Sequence, residues 1–432
     1  MSSNDYRNSP NRNRPQTAVE ALVLLLVVGL VAFVALALVM SRVNAPAPKS
    51  TAVNTLPSGP LPIPTQAVSS ASALQPSPTP QAAVLIPTSD LSSQMTQTPL
   101  PNIEGFAPFP LDVDPLTGLK VEDPSRLERR PILVKVSNFP RTGRPHAGLS
   151  FADIVFEYYI GYGLNRFAAV YLGRDCPQVG PIRSGRLVDA QLGELYQSIF
   201  VYGNADPTID EVILAELGPR ALAERDLPTP PKYRLGPVME TNLFVNTAET
   251  TDYVNEQGKV SNSRRDLRGM IFSDLINPNA VIGTDLGVQF WTTTRGEWHY
   301  DPEKGQYLRW IEEPVGEKSI KMIPLIDRLT DEQLAFSNVV ILFATYTEFA
   351  PTKHDIAIFD NTIGKRAIFF RDGVMTEGMW RTADNGHPIQ FLNSWGTPYH
   401  LKPGNTWIVL TGDSSLFNKT DEGSYELRFD LP

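Results

Sequence analysis

Asp153-Ile154-Val155-Phe156-Glu157-Tyr158-Tyr159-Ile160-Gly161-Tyr162-Gly163-Leu164-Asn165-Arg166-Phe167-Ala168-Ala169-Val170-Tyr171-Leu172 decides how the folded part of this chain is built. Both halves mix β-branched and aromatic residues, and the glycines between them permit a reversal, so the stretch reads as a β-hairpin. With Gly161-Tyr162 as a two-residue turn, Glu157 stands opposite Arg166 and the two form a cross-strand ion pair. A shift of one residue in register separates them.

Upstream, Asp114-Pro115-Leu116-Thr117-Gly118 is turn-rich, Pro131-Ile132-Leu133-Val134-Lys135-Val136 reads as a strand ending at Asn138, and Arg141-Thr142-Gly143-Arg144-Pro145-His146 as a polar loop. Downstream, Leu187, Val188, Leu192, Leu195 and Ile199 have the spacing of one helix face, with Ser184 as its N-cap. Thr208-Ile209-Asp210-Glu211 has capping-box form and opens a second helix that stops at Gly218-Pro219. Strands succeeded by helices without regular βαβ alternation predict an α+β domain over 106–276.

Beyond about Pro278 the pattern is mostly β. Strands are expected at 288–291, 296–300, 307–310, 338–343, 366–370, 374–380 and 406–410, with Asp372-Gly373 as the strongest hairpin turn. This predicts a mainly β domain over 277–432, built as a sandwich or curved sheet.

Ahead of these regions, Ala18 to Met40 is apolar except for Glu20. About 23 residues at about 1.5 Å each give roughly 34 Å, enough to cross a hydrocarbon core of about 30 Å. Arg7, Arg12 and Arg14 precede it, so residues 1–17 form a short cytoplasmic tail, 18–40 a single-pass transmembrane helix, and the chain beyond residue 40 is extracytoplasmic. Residues 41–105 are dominated by Pro, Ser, Thr, Ala and Gln and read as a disordered linker.

The chain of 432 residues carries a net charge of −9, which argues against a nucleic-acid partner. Its single cysteine, Cys176, excludes an intrachain disulfide and a cysteine-based metal site. The five histidines are scattered, and none forms an H-x-x-x-H pair. No cofactor or metal is expected.

Several motifs together resemble the YerB-like lipoprotein family. They are Pro115-Leu116-Thr117-Gly118, Arg144-Pro145-His146-Ala147-Gly148-Leu149, Ala152-Asp153-Ile154-Val155-Phe156-Glu157, Arg166-Phe167 and Gly180-Pro181-Ile182-Arg183-Ser184-Gly185-Arg186, then Asn242-Leu243-Phe244, Gly378-Met379-Trp380 and Leu401-Lys402-Pro403-Gly404-Asn405-Thr406-Trp407. The resemblance implies a bacterial surface protein of two domains with no assigned molecular activity. The chain departs from that pattern at its start, where an apolar helix replaces the lipid-modified cysteine.

The residues with chemical potential are Arg144, His146, Asp153, Glu157, Arg166, Arg183, Ser184 and Arg186. Arg183 and Arg186 enter a helix N-terminus, where two guanidinium forks join free N–H groups and the positive dipole end, a setting suited to an anion. The opposing reading pairs these arginines with Asp153, Glu157 or Asp189 as scaffolding. Catalysis lacks a motif: Asp153 and Glu157 are about 13 Å apart along a strand, beyond the usual glycosidase spacing, and Ser184 is not in a nucleophile elbow. The tryptophans, all beyond residue 290, are core residues or a stacking platform for sugars. The expectation is a binding or assembly module at the cell envelope, contacting the bilayer through 18–40 and a cell-wall polymer or envelope protein through its folded part. An interaction scaffold and a wall hydrolase are the alternatives.

Overall fold

Twelve strands drawn from both ends of the folded region hydrogen-bond into one mixed sheet. The computed structural model describes residues 109–316 and 319–431. The tail, membrane helix and linker expected over 1–105 lie outside them. Among the described residues no helix is long and apolar enough to cross a membrane.

Strands β1 (Ile132–Ser137), β2 (Ile154–Gly161), β3 (Leu164–Tyr171) and β4 (Ile199–Tyr202) form one side of this sheet, in the order β2-β3-β1-β4. On its other edge β2 pairs in parallel with Thr406–Gly412, which pairs in parallel with Asn338–Ala350; Lys365–Arg371, Val374–Arg381 and Gln390–Asn393 continue the order. The regions separated in sequence at 276/277 therefore share one sheet and fall within one compact unit, 90–432. A second, seven-stranded sheet is built largely from Asp285–Trp291, Thr294–Asp301, Gln306–Pro314 and Ile320–Pro324, closed by Leu416–Asp421 and Ser424–Arg428.

One face of the large sheet carries Phe156, Tyr158, Arg166 and Lys135 and packs under helix α1 (Leu187–Leu195), where Phe156 meets Tyr196 edge-on at 5.6 Å. The opposite face carries Glu157, Phe167 and Trp407, against Trp298 and Phe336 of the second sheet at 5.1–5.2 Å between ring centroids. The fold is thus mostly β with a few helices, as the α+β and mainly β expectations had it in outline.

The strands expected from the sequence are all present, others are added at 320–324, 353–357, 390–393, 416–421 and 424–428, and Ile199, expected on the first helix face, instead opens β4; two further details differ. The hairpin turn is Tyr162-Gly163, both at positive φ (52° and 71°) as a type I′ turn requires, and a bulge between Tyr159 and Gly161 sets Tyr158 opposite Arg166 and Glu157 opposite Phe167. The expected Glu157–Arg166 ion pair is therefore absent, because the two side chains leave opposite faces of the sheet.

The second difference concerns helix starts. Helix α1 begins after Arg186 rather than Ser184, and Asp189 caps it by accepting from the Arg186 amide at 2.7 Å. Helix α2 (Pro207–Leu217) is capped by Asp206, which accepts from the Thr208 amide, and it ends at Gly218. A third helix, Thr247–Gln257, is added, held by Asn246 at its start and Gly258 at its end.

Candidate functional site

The strands β1, β2, β4, Asn338–Ala350 and Thr406–Gly412 run in one direction, so their carboxyl ends form a common edge. In open sheets flanked by helices this is the edge at which ligands are held. Here the loop 181–186 crosses the end of β1: the Ile182 amide bonds Leu243, the Arg183 amide donates to the Lys135 carbonyl at 3.0 Å, and the Arg183 carbonyl accepts from Gly203 at 2.9 Å. Gly185 lets the chain pass close to α2, since a Cβ there would stand 2.7 Å from Ile213. The Ser184 hydroxyl donates to Asn204 at 2.6 Å, so it ties two loops together and caps no helix.

This loop brings Arg183 and Arg186 to Arg166 on the helix-covered face. Arg166 is 8% exposed, and among the described residues its side chain bonds only through Nη1 to the neighbouring Asn165 carbonyl, at 3.2 Å. Burial first, then the charges of Arg186 and Arg183, hold its pKa down to about 9. Arg186 donates only to the main-chain carbonyls of Ser184 and Gly185, and burial lowers Arg183 and Arg186 as well. Among the described residues none of the three makes an ion pair, and the Nε of each is buried without a partner.

The carboxylates that sequence reasoning offered these arginines are all engaged elsewhere. Asp153 accepts from the Leu172 and Gly173 amides at 2.5 and 3.2 Å. Glu157 faces the second sheet, where it accepts from Arg309, Asn165 and the Trp407 indole. Asp189 holds Lys135 at 3.1 Å as well as the helix cap. Lys135, Tyr158 and Asp189 are fully buried and mutually bonded directly beneath the arginines, and burial pushes Lys135 down to about 7 against the pull of Asp189. Sequence reasoning missed Lys135 and Tyr158 because a lysine within a strand reads as a solvated residue. The signal was that every neighbour in Ile132-Leu133-Val134-Lys135-Val136 is apolar.

The remaining candidates are not in this cluster. Arg144 bridges to Glu312 of the second sheet at 2.8 Å and to Asn138 at 3.0 Å. His146 is buried edge-on to Phe167 and, through burial and the charge of Arg144, is held down to about 3, so the imidazole is neutral. Cys176 is buried, and burial pushes its thiol up to about 12, the inert reading of that residue. Trp298, Trp380 and Trp407 are core, while Trp291 and Trp395 are exposed. Among the described residues no group of three or more His, Cys, Asp or Glu could hold a metal ion.

Asp153 has a structural consequence of its own. It sits beside Asp114, which is also buried and whose pKa is raised well above the usual carboxylate range by burial and by Asp153, while burial lifts Asp153 to about 6. Asp153 keeps its proton to about pH 6 in the fold but loses it near 4 when unfolded. Its contribution to stability is therefore full below about 4 and lost as pH rises through about 6. Asp114→Asn is expected to raise the melting temperature at pH 7 and flatten the profile between pH 4 and 6. Thermal denaturation across that range checks it, and a variant as pH-sensitive as the parent would remove the pair as the cause.

A wide mixed sheet is completed by strands from both halves of the chain, and three arginines approach one another on its helix-covered face near the carboxyl edge. The chain belongs to the family described as "Protein of unknown function (DUF3048)", matching its N-terminal domain over 116–260 and its C-terminal domain over 286–408. It is 27% identical over 314 residues to YerB of Bacillus subtilis (strain 168), named there as a candidate lipoprotein, covering 69% of this chain and 86% of that one. The crystal structure of the YerB protein from Bacillus subtilis superposes with a TM-score of 0.58 at 26% identity, covering 70% of this chain and 97% of the other. The resemblance seen in the sequence motifs is thereby shown.

Proposed function

We propose that this protein is an envelope-anchored binding module that holds an anionic ligand at Arg166, Arg183 and Arg186. The observation that carries the reading is that the half-buried Arg183 and Arg186 approach the buried Arg166, and the Nε of each has no partner, while Asp153, Glu157 and Asp189 bond other groups. Burying a cation without a counter-ion costs far more than leaving it in water, so such a cluster persists where an anion repays it. The fork of each guanidinium matches two oxygens of a carboxylate or phosphate, and the adjoining first turn of α1 adds unspent N–H groups.

The location rests on separate support. YerB is named as a lipoprotein, and residues 18–40 of this chain have the length and apolarity of a membrane span, with no cysteine anywhere before Cys176. The reading is a single-pass anchor with the N-terminus cytoplasmic and the folded region outside, at the reach of a 65-residue linker.

The test is titration of the full chain, in neutral detergent, with inorganic phosphate and with citrate, beside sedimentation with isolated cell-wall sacculi. Arg183→Ala/Arg186→Ala is expected to weaken anion binding by at least about tenfold, as loss of charge-assisted hydrogen bonds implies, with the melting temperature nearly kept. Equal binding by parent and variant, or none by the parent, would show the arginines to be scaffolding.

A further inference from the structure

Three hairpin tips converge at the same carboxyl edge, and each carries an exposed aromatic side chain. The first is the β2–β3 turn with Tyr162, 71% exposed; the second is the turn 291–294 of the small sheet with Trp291, 57% exposed; the third is the turn 349–353 with Phe349, 66% exposed. The tips are locked against one another. Trp291 lies over Gly163, where a Cβ would come within 2.6 Å of the indole, and the Thr294 hydroxyl donates to the Gly163 carbonyl at 2.5 Å. The Pro351 carbonyl occupies the space a side chain at Gly161 would need, and Gly161 itself has φ of 104°. Large apolar rings held in water on rigid supports are costly to display, and a display of this kind marks a binding surface.

The crown adjoins the arginines. Arg166 is the third residue of β3, the strand directly after the turn that carries Tyr162. Thr352 of the third tip lines a small cavity together with Arg186, Tyr158 and Ile160, and Lys353 of that tip pairs with Asp206 at 2.8 Å, at the start of α2. Arg166 and Arg186 thus stand close to the tips that carry the three aromatic rings.

We infer that the ligand is an anionic glycan, a chain of sugar rings bearing carboxylate or phosphate groups, with its charge on the arginines and its rings stacked on Tyr162, Phe349 and Trp291. Sugar rings present flat C–H faces that pack on aromatic rings and hydroxyls that stay in water. The rings are set among Thr292, Thr293 and Thr352, whose hydroxyls suit a partner rich in hydroxyls. The inference rests on the anion-binding reading of the arginine cluster and adds the polymer that carries the anion.

The experiment titrates the full chain, in neutral detergent, with inorganic phosphate, with a single uronic acid and with a uronic-acid oligosaccharide of about six units, following tryptophan fluorescence and heat. Vesicles of anionic phospholipid form a further arm. The oligosaccharide is expected to bind at least about tenfold more tightly than the single sugar, because only the longer chain reaches the arginines and the aromatic rings at once. Tyr162→Ala/Phe349→Ala, on exposed side chains, is expected to lose that tenfold while keeping the affinity for phosphate. Trp291→Ala is a second, independent variant with the same expectation. An oligosaccharide that binds no better than its monomer, an aromatic variant that binds it as the parent does, or binding to vesicles in place of the oligosaccharide would overturn the glycan inference with the anion site intact. Failure of the parent to bind phosphate, uronate and oligosaccharide alike would instead remove the anion site on which it rests.

Discussion

Arg309→Met is expected to lower the stability of the folded region by about 3–5 kcal/mol at neutral pH, the cost of breaking a buried ion pair from one side. Arg309 is 1% exposed and directs Nη2 at both oxygens of Glu157, at 3.0 and 2.9 Å, with its guanidinium over Trp298 and Trp407 at 4.9 and 5.2 Å. Glu157 is fully buried, and its remaining bonds come from Asn165 at 2.5 Å and the Trp407 indole at 2.8 Å. Burial already raises the carboxyl, against the pull of Arg309, so removing the arginine raises it further. The variant's penalty is then smallest at low pH, where Glu157 is protonated in folded and unfolded chains alike, and grows as pH rises through the elevated folded value. Glu157→Gln/Arg309→Met is expected to recover much of the loss, because a glutamine still accepts from Trp407 and no charge is stranded. Urea denaturation of Arg309→Met, Glu157→Gln and the double variant at pH 5 and pH 8 decides the matter. An Arg309→Met variant that costs under about 1 kcal/mol, or a double variant whose loss equals the sum of the singles, refutes the role given to the Glu157–Arg309 pair.

The same pair explains why the two family regions act as one body. Glu157 lies in β2 and Arg309 in the small sheet; Arg144 repeats the connection by reaching Glu312, and Asp327 accepts from the Gly148 and Ser150 amides at 3.0 and 2.9 Å. Together with the parallel pairing of β2 and Thr406–Gly412, these contacts leave neither region with a complete core of its own.

What was legible in the sequence is what local chemistry dictates. Alternation and turn residues placed the hairpins at 154–171 and 365–381, including Asp372-Gly373, because both central residues of such a turn need positive φ and few residue pairs supply it. Register was not legible, since one bulged residue near Ile160 moves Glu157 to the opposite face and nothing in the local pattern marks it. Partners were less legible still. Glu157 finds Arg309 across 152 residues of chain, and Gly296 hints at this only in hindsight, as a Cβ there would stand 1.7 Å from the Arg309 guanidinium. Arg183 and Arg186 were readable as a pair because three residues and a helix start keep them together; that Arg166 joins them depends on the register that sequence could not fix.

Lys135→Met is the second change with a large expected effect, and it links the scaffold to the site. Lys135, Tyr158 and Asp189 form a fully buried chain of contacts, with the ammonium 3.1 Å from Asp189 and over the Tyr158 ring at 4.1 Å. Methionine fills the space but leaves the Asp189 charge with only the Tyr158 hydroxyl and the Arg186 amide, so a loss of about 3–5 kcal/mol is expected at about pH 6, where Lys135 is charged. Lys135→Met/Asp189→Asn is expected to regain most of that stability, since an asparagine can still accept from the Arg186 amide at the start of α1. Anion affinity separates the two roles: Lys135→Met alone strands the Asp189 charge beneath the arginines and is expected to weaken phosphate binding, whereas the double variant removes one charge of each sign and is expected to bind phosphate about as the parent does. The pH profile adds a further readout. Lys135 releases its proton near 7 in the fold and only near 10.5 when unfolded, so its contribution to stability grows as pH rises through that window, and both methionine variants lack that slope. Melting curves of parent and variants from about pH 6 to about pH 9.5 measure it. Parallel profiles would mean that Lys135 stays charged throughout and that the buried chain is held by its ion pair alone.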